Sequence, residues 1–232
     1  MNRKAPRRLP GRREDGAATK MQILEAAGAV FAEKGFDRAT GKEIAERAGT
    51  NSAAVNYYYG GIGNLYGEVL VAAHARLVAY DSLAALAHRD GDPREKLRDF
   101  IALIVHSIAN PTSSSWALRV LSREILAPSP LFMVLREREL LPKKQLFTEL
   151  IGTILELPPD HPVVARCCVS ILGPFMMILI GGRQILERMF PEVRLDQSPE
   201  ATIDHLTRFS FGGIDATIAA LRQDGLRQAR NG

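Results

Sequence analysis

Apolar residues recur along the chain at i, i+3, i+4 and i+7, with no useful stretch of strict alternation. That period predicts helices from end to end. After a polar start, Ile23, Ala26, Ala27, Val30 and Phe31 share one face of a first helix. Thr19 opens it, with Gln22 three residues on as a capping box, and Gly35 closes it. Two short helices follow in the stretch TGKEIAERAGTNSAAVNYYY, residues 40–59. Thr40 and Glu43 form a second capping box, and Ile44, Ala45 and Ala48 give the helix over about 41–48 its apolar face. Gly49 ends that helix, and Asn51 or Thr50 caps the next, over about 52–58. Val55 falls where the second helix must face Ile44 and Ala45, and the small Ala45, Ala53 and Ala54 let the two cross closely. Together they describe a helix-turn-helix within a three-helix head.

The pattern continues as a long helix from about Asn64 to His88, buried along Leu65, Val69, Ala72, Ala73 and Leu77. Gly91-Asp92-Pro93 breaks it, and Pro93 suits the first turn of a helix running to about Ala109 with Leu97, Phe100, Ile101, Ile104 and Val105 inward. Asn110-Pro111-Thr112 reads as a turn, Ser115 to Leu126 as a helix, and Ser129-Pro130 as the start of another that Pro142 must kink or interrupt. A loop at Pro158-Pro159-Asp160 precedes residues 163–180, VVARCCVSILGPFMMILI, which are nearly all apolar. Arg166, Ser170 and Gly173-Pro174 interrupt this run, and it falls short of the roughly 20 residues a membrane span needs. A core helix buried on both sides is the expectation instead. A last helix runs from Ser198-Pro199 to about Gln223, with Ile203, Leu206, Ser210, Ile214, Ile218 and Leu221 as its stripe.

The fold class is therefore all-α. With 46% hydrophobic residues among 232, the chain can build a sizeable core. The formal net charge of +4 is unevenly placed. Residues 1–50 hold 11 Lys/Arg and 7 Asp/Glu, whereas the rest is balanced, so the positive excess lies beside the helix-turn-helix, as a phosphate-neutralising segment requires. Residues 1–16 carry six Arg/Lys and read as a disordered basic arm that is either solvated or laid in a minor groove. No apolar segment follows them, so they are not a signal peptide, and a cytoplasmic location is expected. The adjacent Cys167 and Cys168 point about 100° apart on a helix and are expected to stay reduced. Neither a nucleophile elbow, a P-loop nor a metal-ligand spacing appears, which argues against an enzyme and implies no cofactor and no metal.

In a helix-turn-helix the second helix enters the major groove, and its first residues meet base edges. Here those are Thr50, Ser52 and Ala53, then Asn56 and Tyr57 one turn on. Asn reads adenine with two bonds, Ser and Thr donate or accept, and Ala53 can only touch a thymine methyl. Thr40 and Tyr58 are placed for phosphate oxygens, and Lys42 for phosphate or base. Tyr59 is expected in the core.

This head resembles that of the TetR family of bacterial repressors, with Thr40, Ile44-Ala45, Ala48-Gly49, Val55 and Tyr59 at the matching positions. More weakly, AAVNYYYG, the stretch from Ser122 to Pro130 and the two closing helices are similar to the YbiH-like subgroup. Two departures stand out. Asn56 occupies the usual place of Tyr, and Gly61-Ile62-Gly63-Asn64-Leu65 replaces the usual S-K-x-x-L, in which Ser caps helix 4 and Lys meets phosphate. The resemblance implies a head over 17–64 and a helical ligand-binding and dimerisation domain over 65–232. It further implies a homodimer through the last two helices, about 163–189 and 198–223, bound to a palindromic operator in double-stranded DNA and released by a small-molecule effector. Candidate ligand contacts are His106, Trp116, Arg119, Arg123, Glu124, Phe147 and Met176, with Trp116 foremost because a lone Trp often lines a site with one wet side. The altered joint motivates an alternative: a dimeric helical small-molecule or protein-binding module with impaired specific DNA binding.

Overall fold

The computed structural model describes residues 11–109, 116–181, 186, 188–192 and 198–231. Among them every regular element is helical. The head comprises α1 (Gly11–Lys34), α2 (Gly41–Arg47) and α3 (Ser52–Tyr59). α1 begins at Gly11 rather than at Thr19, so residues 11–16 of the expected arm are helical, and residues 1–10 lie outside the described part. Thr19 is not a cap: its hydroxyl donates back to the Asp15 carbonyl at 2.8 Å, the bond a mid-helix Thr makes to the preceding turn.

The next two caps are as the sequence predicts. The Thr40 hydroxyl accepts from the Glu43 N–H at 3.2 Å, and the Asn51 side chain accepts from Ala54 N–H at 3.0 Å. Only half of the capping box at Thr40 forms, because the Glu43 carboxylate turns away to Lys34 of α1 at 2.7 Å. Thr50 does not cap; its N–H continues back to the Ala45 carbonyl.

The body follows as α4 (Ile62–Leu77), α5 (Tyr80–His88), α6 (Pro93–Ala109) and α7 (Ala117–Leu126). Next come α8 (Phe132–Leu135), a π-helical turn (Arg136–Leu140), α9 (Leu141–Leu155), α10 (Pro162–Gly181) and α11 (Pro199–Asn231). The turn expected at 110–112 lies outside the described residues. The long helix expected over 64–88 is two helices bent by 43°, because Val78 leaves the helix in an extended conformation. The α-helical ladder is interrupted just before Pro142, by the π turn. Pro142 sits in the first turn of α9, directly after the wider π turn, where the Leu141 N–H reaches the Arg136 carbonyl and a missing N–H is accommodated.

Two apolar cores result. One joins the head to the body: Ile23, Ala27 and Phe31 of α1, Ile44, Val55 and Tyr59 pack with Leu65, Val69 and Leu70 of α4, Val120 and Leu121 of α7, and Leu135. The other gathers Leu97 and Ile101 of α6, Phe147 and Ile151 of α9, Val164 and Ile171 of α10, and Ile203 and Ile214 of α11. The head therefore has no core of its own ending at residue 64; α4 and α7 complete it.

α10 is long and apolar enough by length and composition to cross a membrane, yet it packs on α7, α9 and α11. It is not buried on both sides. Val164, Cys167, Cys168, Ile171 and Phe175 face inward, while Val169 is 72% exposed and Met177 60%. Both cysteines are free and buried, and burial pushes the Cys168 thiol up to about 12, which makes that one a poor nucleophile.

Candidate nucleic-acid interface and the cavity behind it

α3 carries no charged side chain, and its two faces divide sharply. Ala54, Val55 and Tyr59 are buried against α1, α2 and α4, with the Tyr59 hydroxyl donating to the Lys20 carbonyl at 2.6 Å. Ser52, Ala53 and Asn56 are exposed, and Tyr57 is 82% exposed, standing edge-on to the half-buried Tyr58 at 4.9 Å between centroids. A cleft brings Lys42 of α2 beside Ser52, Ala53 and Asn56, with Ile62 at its margin. Thr40 is exposed and Thr50 half-buried at the two ends of α2. The structure thus brings Lys42, Ser52, Ala53 and Asn56 together at one cleft, with the buried apolar face of α3 behind them.

At the other end of α4 a cavity of about 440 Å³ lies between α4, α5, α6, α9 and α10. Its walls are chiefly apolar, including Val78, Leu83, Ile104 and Leu172, with Phe100 and Phe147 stacked at 4.4 Å. Its polar groups are His74, Lys143, Lys144 and Thr148. Lys143 is buried and donates both to Glu139, one turn earlier, and to Nδ1 of His74 at 2.9 Å. Burial chiefly holds the His74 imidazole below its ordinary value, and Lys143 adds repulsion against the opposing pull of Glu139. A neutral ring with Nδ1 accepting from the ammonium fits that geometry. Burial likewise lowers Lys143; it pushes Glu139 the other way, but the ammonium of Lys143 bonded to that carboxylate keeps it below the usual carboxylate range.

Of the ligand contacts expected from the sequence, only Phe147 lines this cavity. His106 and Arg119 are exposed, and Met176 lies on the outward side of α10. Arg123 reaches the Glu33 carbonyl of α1 at 3.4 Å. Glu124 is buried at 1% exposure and accepts from the Tyr66 hydroxyl at 2.8 Å and from both the N–H and hydroxyl of Ser129 at 2.9 Å. Trp116 is buried in the head-side core, its indole N–H donating to Glu25 at 3.0 Å and Arg76 stacked on its ring at 4.5 Å. Its missing wet side is filled by Arg76, which also pairs with Glu25.

Comparisons with known proteins place this geometry. The model described as "Bacterial regulatory proteins, tetR family" matches residues 23–69, and that of the C-terminal domain of the HTH-type transcriptional dual regulator CecR matches residues 93–214. The chain belongs to the TetR family of transcriptional regulators. It is 25% identical over 182 residues to the HTH-type transcriptional dual regulator CecR of Shigella flexneri, covering 75% of this chain and 81% of that one. Among solved structures it is similar in fold to the fatty acid degradation regulator FadR of Bacillus halodurans (18% identity, 83% of this chain and 98% of the other, TM-score 0.63). It is also similar to NalD, the secondary repressor of the MexAB-OprM efflux pump of Pseudomonas aeruginosa (22%, 86% and 97%, TM-score 0.58). The chain is a regulator and not an enzyme.

As a TetR-family head it is unusual at the joint. Gly60 ends α3 with φ 71°, and Gly61 caps α4 with φ 125°, a conformation that an L side chain rarely adopts. The usual capping Ser is thus replaced by a backbone only glycine suits, and Asn64, the expected start of the helix, lies inside it. Ile62, where a TetR-family Lys is usual, faces the cleft. Ile62→Lys is expected to steepen the salt dependence of operator binding by about 0.9 in log K per log salt for each subunit. A filter-binding titration across salt that returns an unchanged slope refutes that placement.

The residues the sequence reading missed are Glu25, His74, Arg76, Glu139 and Lys143. One local signal was available for the last pair: a Glu and a Lys four apart inside an apolar helical stripe. Nothing local announces Glu25 and Arg76, which lie 51 residues apart.

Proposed function

We propose that the chain is a ligand-responsive repressor that binds a palindromic operator as a homodimer and lets go when a small molecule fills the body. The observation that carries this is the double role of α4. Its first turn borders the cleft at Ile62, and its last turn walls the cavity at His74, so one rigid helix of 16 residues touches both sites. A molecule preferring an outward-shifted α4 draws the population toward a head spacing that no longer fits two half-sites. The base-reading side chains are Thr50, Ser52, Ala53, Asn56 and Tyr57, with Thr40, Lys42 and Tyr58 on the backbone. The basic arm adds counter-ion release, and the protein works in the cytoplasm, where its DNA is.

The dimer is supported by the outward faces of α10 and α11. Val169, Met176, Met177, Ile180 and Phe209 are exposed apolar side chains there, and Gly173, Gly212 and Gly213 have open space where a Cβ would stand. Phe209 is 71% exposed. Phe209→Glu is expected to shift the protein from dimer to monomer in analytical ultracentrifugation and to weaken operator binding more than tenfold; a dimer of wild-type stability excludes this face.

Selection of bound duplexes from a random pool tests the whole reading, since it returns motif, symmetry and half-site spacing at once. Two half-sites with centres about 34–36 Å apart, or somewhat more, are expected. Failure to enrich any sequence at low salt would favour the other reading, a dimeric binding module whose joint at Gly61 and Ile62 has weakened DNA recognition.

A further inference from the structure

We infer that the cavity takes an amphiphile with one anionic head, a carboxylate on an apolar body, and that Lys143 reads the head. This rests on the ligand-responsive reading above and names the class of ligand. The polar side of the cavity wall carries two ammonium groups, Lys143 and Lys144, beside the neutral His74 and Thr148, whose hydroxyl donates to the Gln145 carbonyl. Among the described residues no carboxylate lines it; Glu139, bonded to Lys143, is not in the wall. Everything else on the wall is apolar, and Phe100 with Phe147 offers a flat stacked surface for the body of the ligand.

A buried ammonium is costly unless its protons are taken. Lys143 has three, and its partners Glu139 and the Nδ1 of His74 take two. The third is left for the cavity, the wall of which Lys143 forms. A carboxylate entering there gains a charge-assisted bond in an apolar surround, and Lys144 adds a second positive charge beside it. A cationic head would meet both ammonium groups at close range, and a neutral head gains only an ordinary hydrogen bond.

The placement also links the head group to the output. His74 is on the last turn of α4, and Arg138, beside Glu139 in the π turn, pairs with Glu68 of α4 at 2.5 Å. A carboxylate that draws Lys143 toward the cavity loosens the bond tying α9 to His74. The ligand's charge is thus felt at the helix that holds the reading head, while its tail fills the space between α5, α6 and α10.

The test is isothermal titration of the full-length protein near neutral pH with decanoate, decanol and decyltrimethylammonium, each below its aggregation limit. Decanoate is expected to bind at least about tenfold more tightly than decanol, with the cation weakest. In Lys143→Met, which keeps the stem and removes the charge, decanoate falls to the level of decanol. In Glu139→Gln, which removes the competing carboxylate, decanoate binds more tightly than in wild type. Melting curves establish that each variant is folded, and Glu139→Gln decides alone if Lys143→Met is not. Equal affinity for decanoate and decanol, a preference that survives Lys143→Met, no gain in Glu139→Gln, or no binding of any of the three overturns the inference. The ligand-responsive reading fails separately, if no compound of a chemically mixed library dissociates the operator complex.

Discussion

Trp116→Ala is expected to lower the unfolding free energy by about 3–5 kcal/mol, the range for truncating a buried Trp. The ring is buried where α1, α4 and α7 meet, packed on Gly28 and covered by Arg76. Removing it opens a void on three helices at once and leaves Glu25 without the indole N–H. Trp116→Phe keeps a ring against Gly28 but loses that bond, so about 1 kcal/mol of the penalty should remain for the hydrogen bond alone. The complementary change is Gly28→Ala. By helix propensity it should stabilise α1 by about 1 kcal/mol. A Cβ at Gly28, however, would stand 2.4–2.6 Å from carbons of the Trp116 ring. The ring is wedged on its other face, so the clash is expected to win by about 1–3 kcal/mol. Urea denaturation at one fixed protein concentration measures all three. A Gly28→Ala protein as stable as wild type would show that the indole can yield, and the tight α1–α7 approach would not be a constraint.

The second large effect is at Glu124. Glu124→Ala is expected to cost about 2–4 kcal/mol, because it strands the Tyr66 hydroxyl in the core and removes the acceptor shared by the N–H and hydroxyl of Ser129. Burial and the bond to the carboxylate both raise Tyr66 far above its ordinary value, which keeps the phenol a donor at any physiological pH. The clamp joins α4 to the turn between α7 and α8, so its loss should loosen the body's grip on α4. Tyr66→Phe in the same background discriminates the mechanism. If the hydrogen bond matters as described, adding Tyr66→Phe to Glu124→Ala restores part of the loss, because no buried hydroxyl is then left unpaired. Additive penalties would place the cost in packing instead.

The head was legible in the sequence because its signals are local. Thr40, Gly49 and Asn51 each act within four residues, and a cap works wherever the rest of the chain goes. Even there, Thr19 misled, since a Thr-x-x-Gln pattern costs nothing in mid-helix when the hydroxyl can bond the preceding turn. Ile62 at the edge of the cleft was readable as a departure from the TetR-family pattern. That Gly61 then caps with a backbone closed to other residues was not, because φ is a property of the folded joint.

The ligand side was hardly legible. Trp116, Arg123 and Glu124 are chemically suited to a binding site, but the fold uses the first two as struts between head and body and the third to clamp α4 to the turn after α7. Lys143 is a charge in an apolar stripe, and nothing in its neighbourhood along the chain says that it is buried. Which charges are buried depends on what packs opposite, and the partner of Lys143 on α4, His74, lies 69 residues away. The same holds for the bend at Val78, which carries neither Pro nor Gly and whose residue lines the cavity.

The sequence by itself determined that the chain is helical, where most of its helices begin and end, which face of α3 is left for DNA, and that the positive charge excess lies with it. These follow from periodicity and from side chains bonding their own backbone, interactions that close within one or two turns. Only the tertiary structure decided that the head shares its core with α4 and α7, that α10 turns one apolar face outward, and that His74 meets Lys143 at the cavity's polar end. Each of these is a contact between residues far apart in the chain, and burial, which fixes their chemistry, exists only once those segments have met.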